Sequence, residues 1–296
     1  SISLLLGETF DINAKLVAIV LAILVMLVIV FGVKGIANVC SALVPFMAIV
    51  YVLGCFVILA FNWSYLGEAL SLIFKSAFTA RAAGGGFVGT TVLMACRYGI
   101  ARGLFSNESG LGSAPIVAAA AKTRNPVRQA LVSSTGTFWD TVVICFITGL
   151  VLVSSIIAYP DIDHTQGAAL TQAAFSKIPV IGPFILAFGI FTFAYSTILG
   201  WAYYGERAIE YLCGHNFKLS RIVIWIYRCV WVVGVYVGAV MSLNLVWNIS
   251  DITNAFMAIP NLISVLLLSG VIVRETRKYL WENRLDEEDN EEIPTI

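Results

Sequence analysis

Stretches of about twenty residues with almost no charge recur along this chain, and they leave few folds open to it. Leu16–Val33 is uncharged between Lys15 and Lys34, and Leu43–Phe61 follows after a short polar link. Pro183–Tyr204 and Ile252–Val273 also lack charge, while Gln129–Ser155 carries only Asp140 and Ile222–Leu243 only Arg228. About twenty helical residues cross the roughly 30 Å hydrocarbon layer of a bilayer. Lipid offers the backbone no hydrogen-bond partners, so such runs are expected as helices. With Ser64–Phe105 as one interrupted crossing, the sequence predicts an all-α, multi-pass membrane protein with seven transmembrane helices. Hydrophobic residues make up 59% of the 296 and charged residues 12%, where a soluble domain is about 25% charged. This excludes a soluble enzyme, a disordered chain and a nucleic-acid binder.

Lys plus Arg and Asp plus Glu both number 18, so only the placement of charge is informative. Seven crossings with Ser1 outside make Gly32–Ala42, Arg97–Arg128, Gly205–Arg228 and the tail from Arg274 the inner segments. These hold 14 of the 18 basic residues, leaving Lys15, Lys75, Arg81 and Lys177 for the outer half. That asymmetry predicts an outside N-terminus and a cytoplasmic C-terminus in a cell membrane. Ser1–Lys15 has no basic n-region, so it is not read as a signal peptide. The chain opens on Ser rather than Met, and the sequence reads as truncated at its N-terminus. Residues 1–273 are expected to form the transmembrane domain and residues 274–296 a charged cytoplasmic tail, which is polar after Arg274, ends acidic (Asp286 to Glu292) and is expected to be frayed and solvated.

Three functions suit such an architecture. A retinal receptor needs a lysine in its last helix, and Ile252–Val273 has none. A membrane enzyme needs polar catalytic groups, but the only two histidines, His164 and His215, lie in loops without companions at ligand spacing. The six cysteines form no CxxC pair, so neither a metal centre nor a disulfide framework is expected. A transporter needs interrupted helices, because unwound backbone offers carbonyls and N–H groups inside the membrane. Ser64–Phe105 fits that demand. Its first piece is periodic through Leu66, Leu70, Ile73 and Phe74, its middle holds Gly84, Gly85, Gly86 and Gly89, and its end is apolar again. Glycine weakens a helix by about 1 kcal/mol relative to alanine. The segment therefore reads as half-helix, hinge and half-helix, with a binding site at Phe78–Gly86 where helix-end carbonyls suit a cation or an ammonium group. The alternative for Gly85 and Gly89 is close helix packing through GxxxG.

Several segments together resemble the sodium:alanine (alanine or glycine:cation) symporter family. They are Arg102–Thr123 (RGLFSNESGLGSAPIVAAAAKT), Phe193–Arg207 (FAYSTILGWAYYGER), Ser76–Gly89, Gly136–Thr141 (GTFWDT) and Met257–Ser269. The resemblance implies a leucine-transporter-like five-plus-five inverted-repeat fold, with these seven helices as its fourth to tenth. It also implies sodium-coupled symport of a small neutral amino acid, alanine or glycine, in a bacterial or archaeal plasma membrane, with no chemical reaction and no cofactor beyond the coupling ion. By that resemblance Phe78 and Thr79 would present carbonyls to the substrate ammonium group. Ala83, Gly84, Gly85 and Gly86 would let the substrate approach the backbone, and Trp201 would wall the pocket. Ser196 and Thr197 would be hydroxyl ligands for sodium. Their local alternative is a bond to a carbonyl of the preceding turn.

Three charged residues remain. Asp140 lies about eleven residues into its helix, near the midplane, where an ionisable group is a functional candidate. It could pair with Arg81, at the hinge, which could instead face the substrate carboxylate. Glu108, beside Asn107 in the linker Ser106–Ala121, is expected as a gate residue paired with a nearby arginine. By the resemblance the loop Ser155–Pro183, with its amphipathic middle GAALTQAAFSKI, would be an outer lid over the substrate path; the alternative is an interfacial helix on the lipid surface.

Overall fold

The computed structural model describes residues 2–3, 6–7, 11–78, 99, 103–108, 110–161, 167–178, 181–214 and 217–287. Among them all regular structure is helical. The helices are α1 (Ala14–Ile29), α2 (Gly32–Phe61), α3 (Leu66–Phe78), α4 (Ala114–Ala118), α5 (Pro126–Ala158), α6 (Gly167–Ser176), α7 (Ile181–Cys213), α8 (Phe217–Val240), α9 (Leu243–Leu267) and α10 (Ser269–Thr276). A π-helical turn, Arg277–Trp281, continues α10. Five of these, α2, α5, α7, α8 and α9, are long and apolar enough to cross a bilayer. The sequence predicts seven crossings, and the other two are α1 and the interrupted segment. Helix α1 is apolar but has 16 residues, about 24 Å at 1.5 Å per residue. Helix α3, Leu66–Phe78, covers the first part of the segment Ser64–Phe105 that is expected to be interrupted.

The chain forms two compact units, one of Ser1–Arg81 with Phe146–Trp247, the other of Ala82–Cys145 with Asn248–Ile296. In the first unit α7 packs on α2 and α8, and α8 packs on α1. Small residues let the backbones close. A Cβ on Gly54 of α2 would lie 2.6 Å from Ile185 Cγ2 of α7, and one on Gly205 of α7 would strike the Tyr227 hydroxyl of α8. Tyr51 joins several elements, with an edge-on contact to Phe193, a stacked contact to Phe175 and a 2.8 Å hydrogen bond to Thr148. Asn62, 2% exposed just past the end of α2, donates to Ser154 and Ser155 of α5. This satisfies an amide that would otherwise be costly to bury.

In the second unit a glycine-marked loop leads into α4. Glu108, Gly110 and Gly112 all adopt positive φ, at 52°, 81° and 79°. Gly112 faces α9 closely, since a Cβ there would sit 2.9 Å from Asn261 Oδ1. Asn125 then caps α5 by accepting from the Arg128 N–H.

Candidate functional site

The hinge is expected from Phe78, in the last turn of α3. Glu68 in its first turn and Lys75 in its last complement the helix dipole. Phe78, the first residue of the expected hinge, is the last described residue of α3. Thr79, Arg81, Ala83, Gly84, Gly85 and Gly86 lie outside the described residues, as does Gly89; of the expected lid Ser155–Pro183, residues 162–166 and 179–180 lie outside them too, while Gly167–Ser176 forms α6.

Helix α7 positions the other predicted residues. Thr192, Tyr195, Leu199, Ala202, Tyr203 and Glu206 form a buried stripe at helical spacing. Thr197 lies off that stripe, exposed, with Ser196 and Trp201 half-buried beside it. Both hydroxyls take the local bond: Ser196 Oγ donates to the Phe193 carbonyl at 2.9 Å and Thr197 Oγ1 to the same oxygen at 2.8 Å. A hydroxyl that donates its one proton keeps its oxygen lone pairs for a cation, so this geometry is compatible with either reading of the pair. The Trp201 ring meets Tyr204 edge-on at 5.7 Å.

Asp140 lies in a π-helical stretch of α5, Phe138–Cys145. Ser106 Oγ donates to its Oδ2 at 2.6 Å, and the Asn107 amide and Thr141 hydroxyl bond to each other at 2.7 and 2.9 Å. Two consecutive residues of the linker are thus tied to two consecutive residues of the helix. Asn107 stood next to the predicted gate residue, but Ser106 and Thr141 were not singled out by the sequence. A π turn widens the helix and is frequent at functional sites. Among the described residues Glu108 has no ion-pair partner; the neighbouring Arg97 and Arg102 lie outside them, and Arg124 and Arg128 engage Asp286.

Sequence reasoning missed Glu206. It is 6% exposed. Arg228 of α8 grips it by one guanidinium edge, Nε and Nη2 each donating to a carboxylate oxygen at 2.9 Å, and Arg207 approaches at 3.3 Å. Arg228 also donates to the Val30 carbonyl, just past α1, at 3.3 Å. The buried Glu206–Arg228 pair therefore links the later part of α7, the middle of α8 and the end of α1. The sequence counted Arg207 and Arg228 as inner basic charges. The available signal was an acid and an arginine at the same predicted membrane face.

The tail also departs from expectation. Rather than fraying from Arg274, it is ordered through α10 and the π turn, with Tyr279 2% exposed. The turn after it docks on the start of α5: the Asn125 amide donates to the Leu285 and Glu287 carbonyls at 2.9 and 3.0 Å. Arg124 reaches the Asp286 carbonyl at 2.8 Å, and Arg128 reaches its carboxylate at 2.6 Å. Arg284 pairs with Glu287 at 2.6 Å, holding that carboxyl below its ordinary range. The physical reason is Asn125: it is 2% exposed, and its amide protons need acceptors, which the tail backbone supplies.

Residues 1–293 match the model of the sodium:alanine symporter family. The chain belongs to this family. Among its members, the sodium/alanine symporter AgcS of Methanococcus maripaludis is 48% identical over 274 residues, 92% of this chain and 58% of that protein. An uncharacterized transporter of Haemophilus influenzae is 46% identical over 289 residues, 97% of this chain and 61% of that protein. GlnT of Bacillus subtilis, named a probable sodium/glutamine symporter, is 33% identical over 288 residues, 96% and 57% of the two chains. The chain spans about three-fifths of the length of these relatives. Family membership and the five long apolar helices make it a multi-pass membrane protein. The segments that carried the family resemblance, Arg102–Thr123 and Phe193–Arg207, are those in which Ser106, Asn107, Gly112 and Glu206 make the contacts described above.

Proposed function

We propose that this chain forms part of a sodium-coupled symporter that moves a small neutral amino acid, alanine or glycine, by alternating access. The observation that carries the reading is the family match over residues 1–293. In this reading seven helices occupy the fourth to tenth places of a five-plus-five inverted repeat. The N-terminus of this chain faces outward and its C-terminus the cytoplasm. The carbonyls of Phe78 and Thr79 take the substrate ammonium group, and Ala83, Gly84, Gly85 and Gly86 admit the substrate to the backbone. Trp201 limits the size of its side chain. Ser196 and Thr197 offer sodium uncharged oxygens, hard ligands that hold the ion loosely enough to release it. Arg81, Glu108 and Asp140 serve gating or polar support.

The test is alanine uptake by the full-length protein in vesicles. Uptake is expected to collapse when sodium is replaced by choline, and equal uptake driven by a proton gradient alone would overturn the sodium assignment. Ser196→Ala and Thr197→Ala are expected to raise the sodium concentration for half-maximal uptake roughly tenfold each, the loss of one hydrogen-bond-strength contact to a charge. Thr197→Ser is expected to stay near the parent. Because a relative is named a probable sodium/glutamine symporter, glutamine belongs among the competitors. Competition by glutamine stronger than by alanine or glycine would shift the substrate assignment. Binding without uptake would favour a receptor or structural subunit.

A further inference from the structure

Immediately beyond the apolar helix α9, the chain builds a hollow of about 340 Å³ lined by Gly270, Val273, Arg274, Arg277, Lys278 and Glu282. The spacings of 3, 4, 7 and 8 residues from Gly270 place the first five on one face of α10 and its π extension. Three of the six side chains are cationic. The single carboxylate, Glu282, is already met by Arg284 at 3.7 Å, so the hollow keeps a positive balance. Arg274 has a side chain 66% exposed and pairs with its chain neighbour Glu275 at 3.2 Å. Gly270 leaves the floor open, since a Cβ there would meet nothing within 4 Å.

The surroundings place this hollow at a membrane surface. Val271, Ile272 and Val273 on one side and Leu280 and Trp281 on the other are exposed apolar residues. The Arg277 guanidinium lies over the Trp281 ring at 5.7 Å. An aromatic with a cation beside it, one helix length past a bilayer-crossing segment, suits the headgroup layer. Basic residues there attract anionic lipids.

We propose that this hollow is a phosphate site, filled by the headgroup of an anionic lipid. Arg274, Arg277 and Lys278 supply charge-assisted hydrogen bonds to the phosphate oxygens, and the absent side chain of Gly270 gives the headgroup room. The site does not depend on what the protein transports.

Native mass spectrometry of the full-length protein tests it, with dioleoylphosphatidylglycerol and dioleoylphosphatidylcholine titrated separately. Phosphatidylglycerol is expected to be retained and phosphatidylcholine not. Arg274→Gln combined with Arg277→Gln is expected to lower retention roughly tenfold or more. Gly270→Leu should lower it comparably by filling the hollow without removing charge, whereas Lys218→Gln, a cation lost elsewhere, should leave it unchanged. Inorganic phosphate binding alone, with phosphatidylglycerol not retained, would keep the phosphate site but overturn the lipid as its source. Equal retention by the parent, the double variant and Gly270→Leu, or an equal loss in Lys218→Gln, would overturn the site itself.

Discussion

Glu206 shows what one buried charge does when its partner is fixed. With Arg228 on both oxygens, it is stable only as a pair, and removing one member strands the other. Glu206→Gln is expected to lower stability by about 3–5 kcal/mol, read as a fall in the thermal unfolding midpoint in detergent. Joint replacement of Glu206 and Arg228 by leucine should cost less than either single change, because an apolar pair leaves no unpaired charge. Ser196 and Thr197 present the opposite case. Their types and positions were legible as candidate ligands, and so was the competing bond to Phe193. Which use prevails depends on what faces the open side of α7, and one helix read alone does not contain that information. Glu206 was illegible for a related reason: a pairing across 22 residues depends on the rotation of two helices about their axes.

Helix existence and rough extent followed from the spacing of charge along the chain, since lipid dictates a minimum apolar length. The apolar runs Leu43–Phe61, Gln129–Ser155, Pro183–Tyr204, Ile222–Leu243 and Ile252–Val273 each overlap one of the five long helices. Local irregularity was not legible. Nothing in FWDTVVIC announces a π turn, because widening a helix is decided by what its side chains reach, here Ser106 and Asn107. Close approach was likewise hidden until the neighbouring helix was known. Gly205 lies where the Tyr227 hydroxyl crosses toward the Ala202 carbonyl, to which it donates at 3.2 Å. Gly205→Ala is expected to destabilise the α7–α8 contact by roughly 1–3 kcal/mol, the usual effect of overpacking. Tyr227→Phe should restore only part of that loss, because it removes the hydroxyl but leaves the ring carbon Cζ 2.7 Å from the added Cβ, and unfolding midpoints of the single and double variants check both statements.

Across the molecule, the unexpected economy is in the tail. An acidic, polar C-terminal segment reads as solvated when its composition is the only guide, but the buried amide of Asn125 recruits its backbone. The Glu287 carboxyl is held low chiefly by its hydrogen bond to Arg284. A depressed folded value means that this contribution is present above the ordinary carboxylate range and is lost as pH falls through the lowered one. Hydrogen exchange at residues 284–287 is therefore expected to stay slow from neutral pH down to about pH 4 and to accelerate below it. Acceleration that began between pH 6 and 7 would contradict the assignment.

The docked turn also sets an order of events during synthesis. Leu285 follows Asn125 by 160 residues, roughly 10–30 s of translation at about 5–20 residues per second. Throughout that interval the start of α5 has left the ribosome with its capping asparagine still short of two acceptors. Its final hydrogen bonds close only when the turn that carries Leu285 and Glu287 emerges. An arrest or a premature stop anywhere between α10 and Leu285 would leave every apolar helix made and this one joint open, a form that quality-control proteases could distinguish from the finished chain.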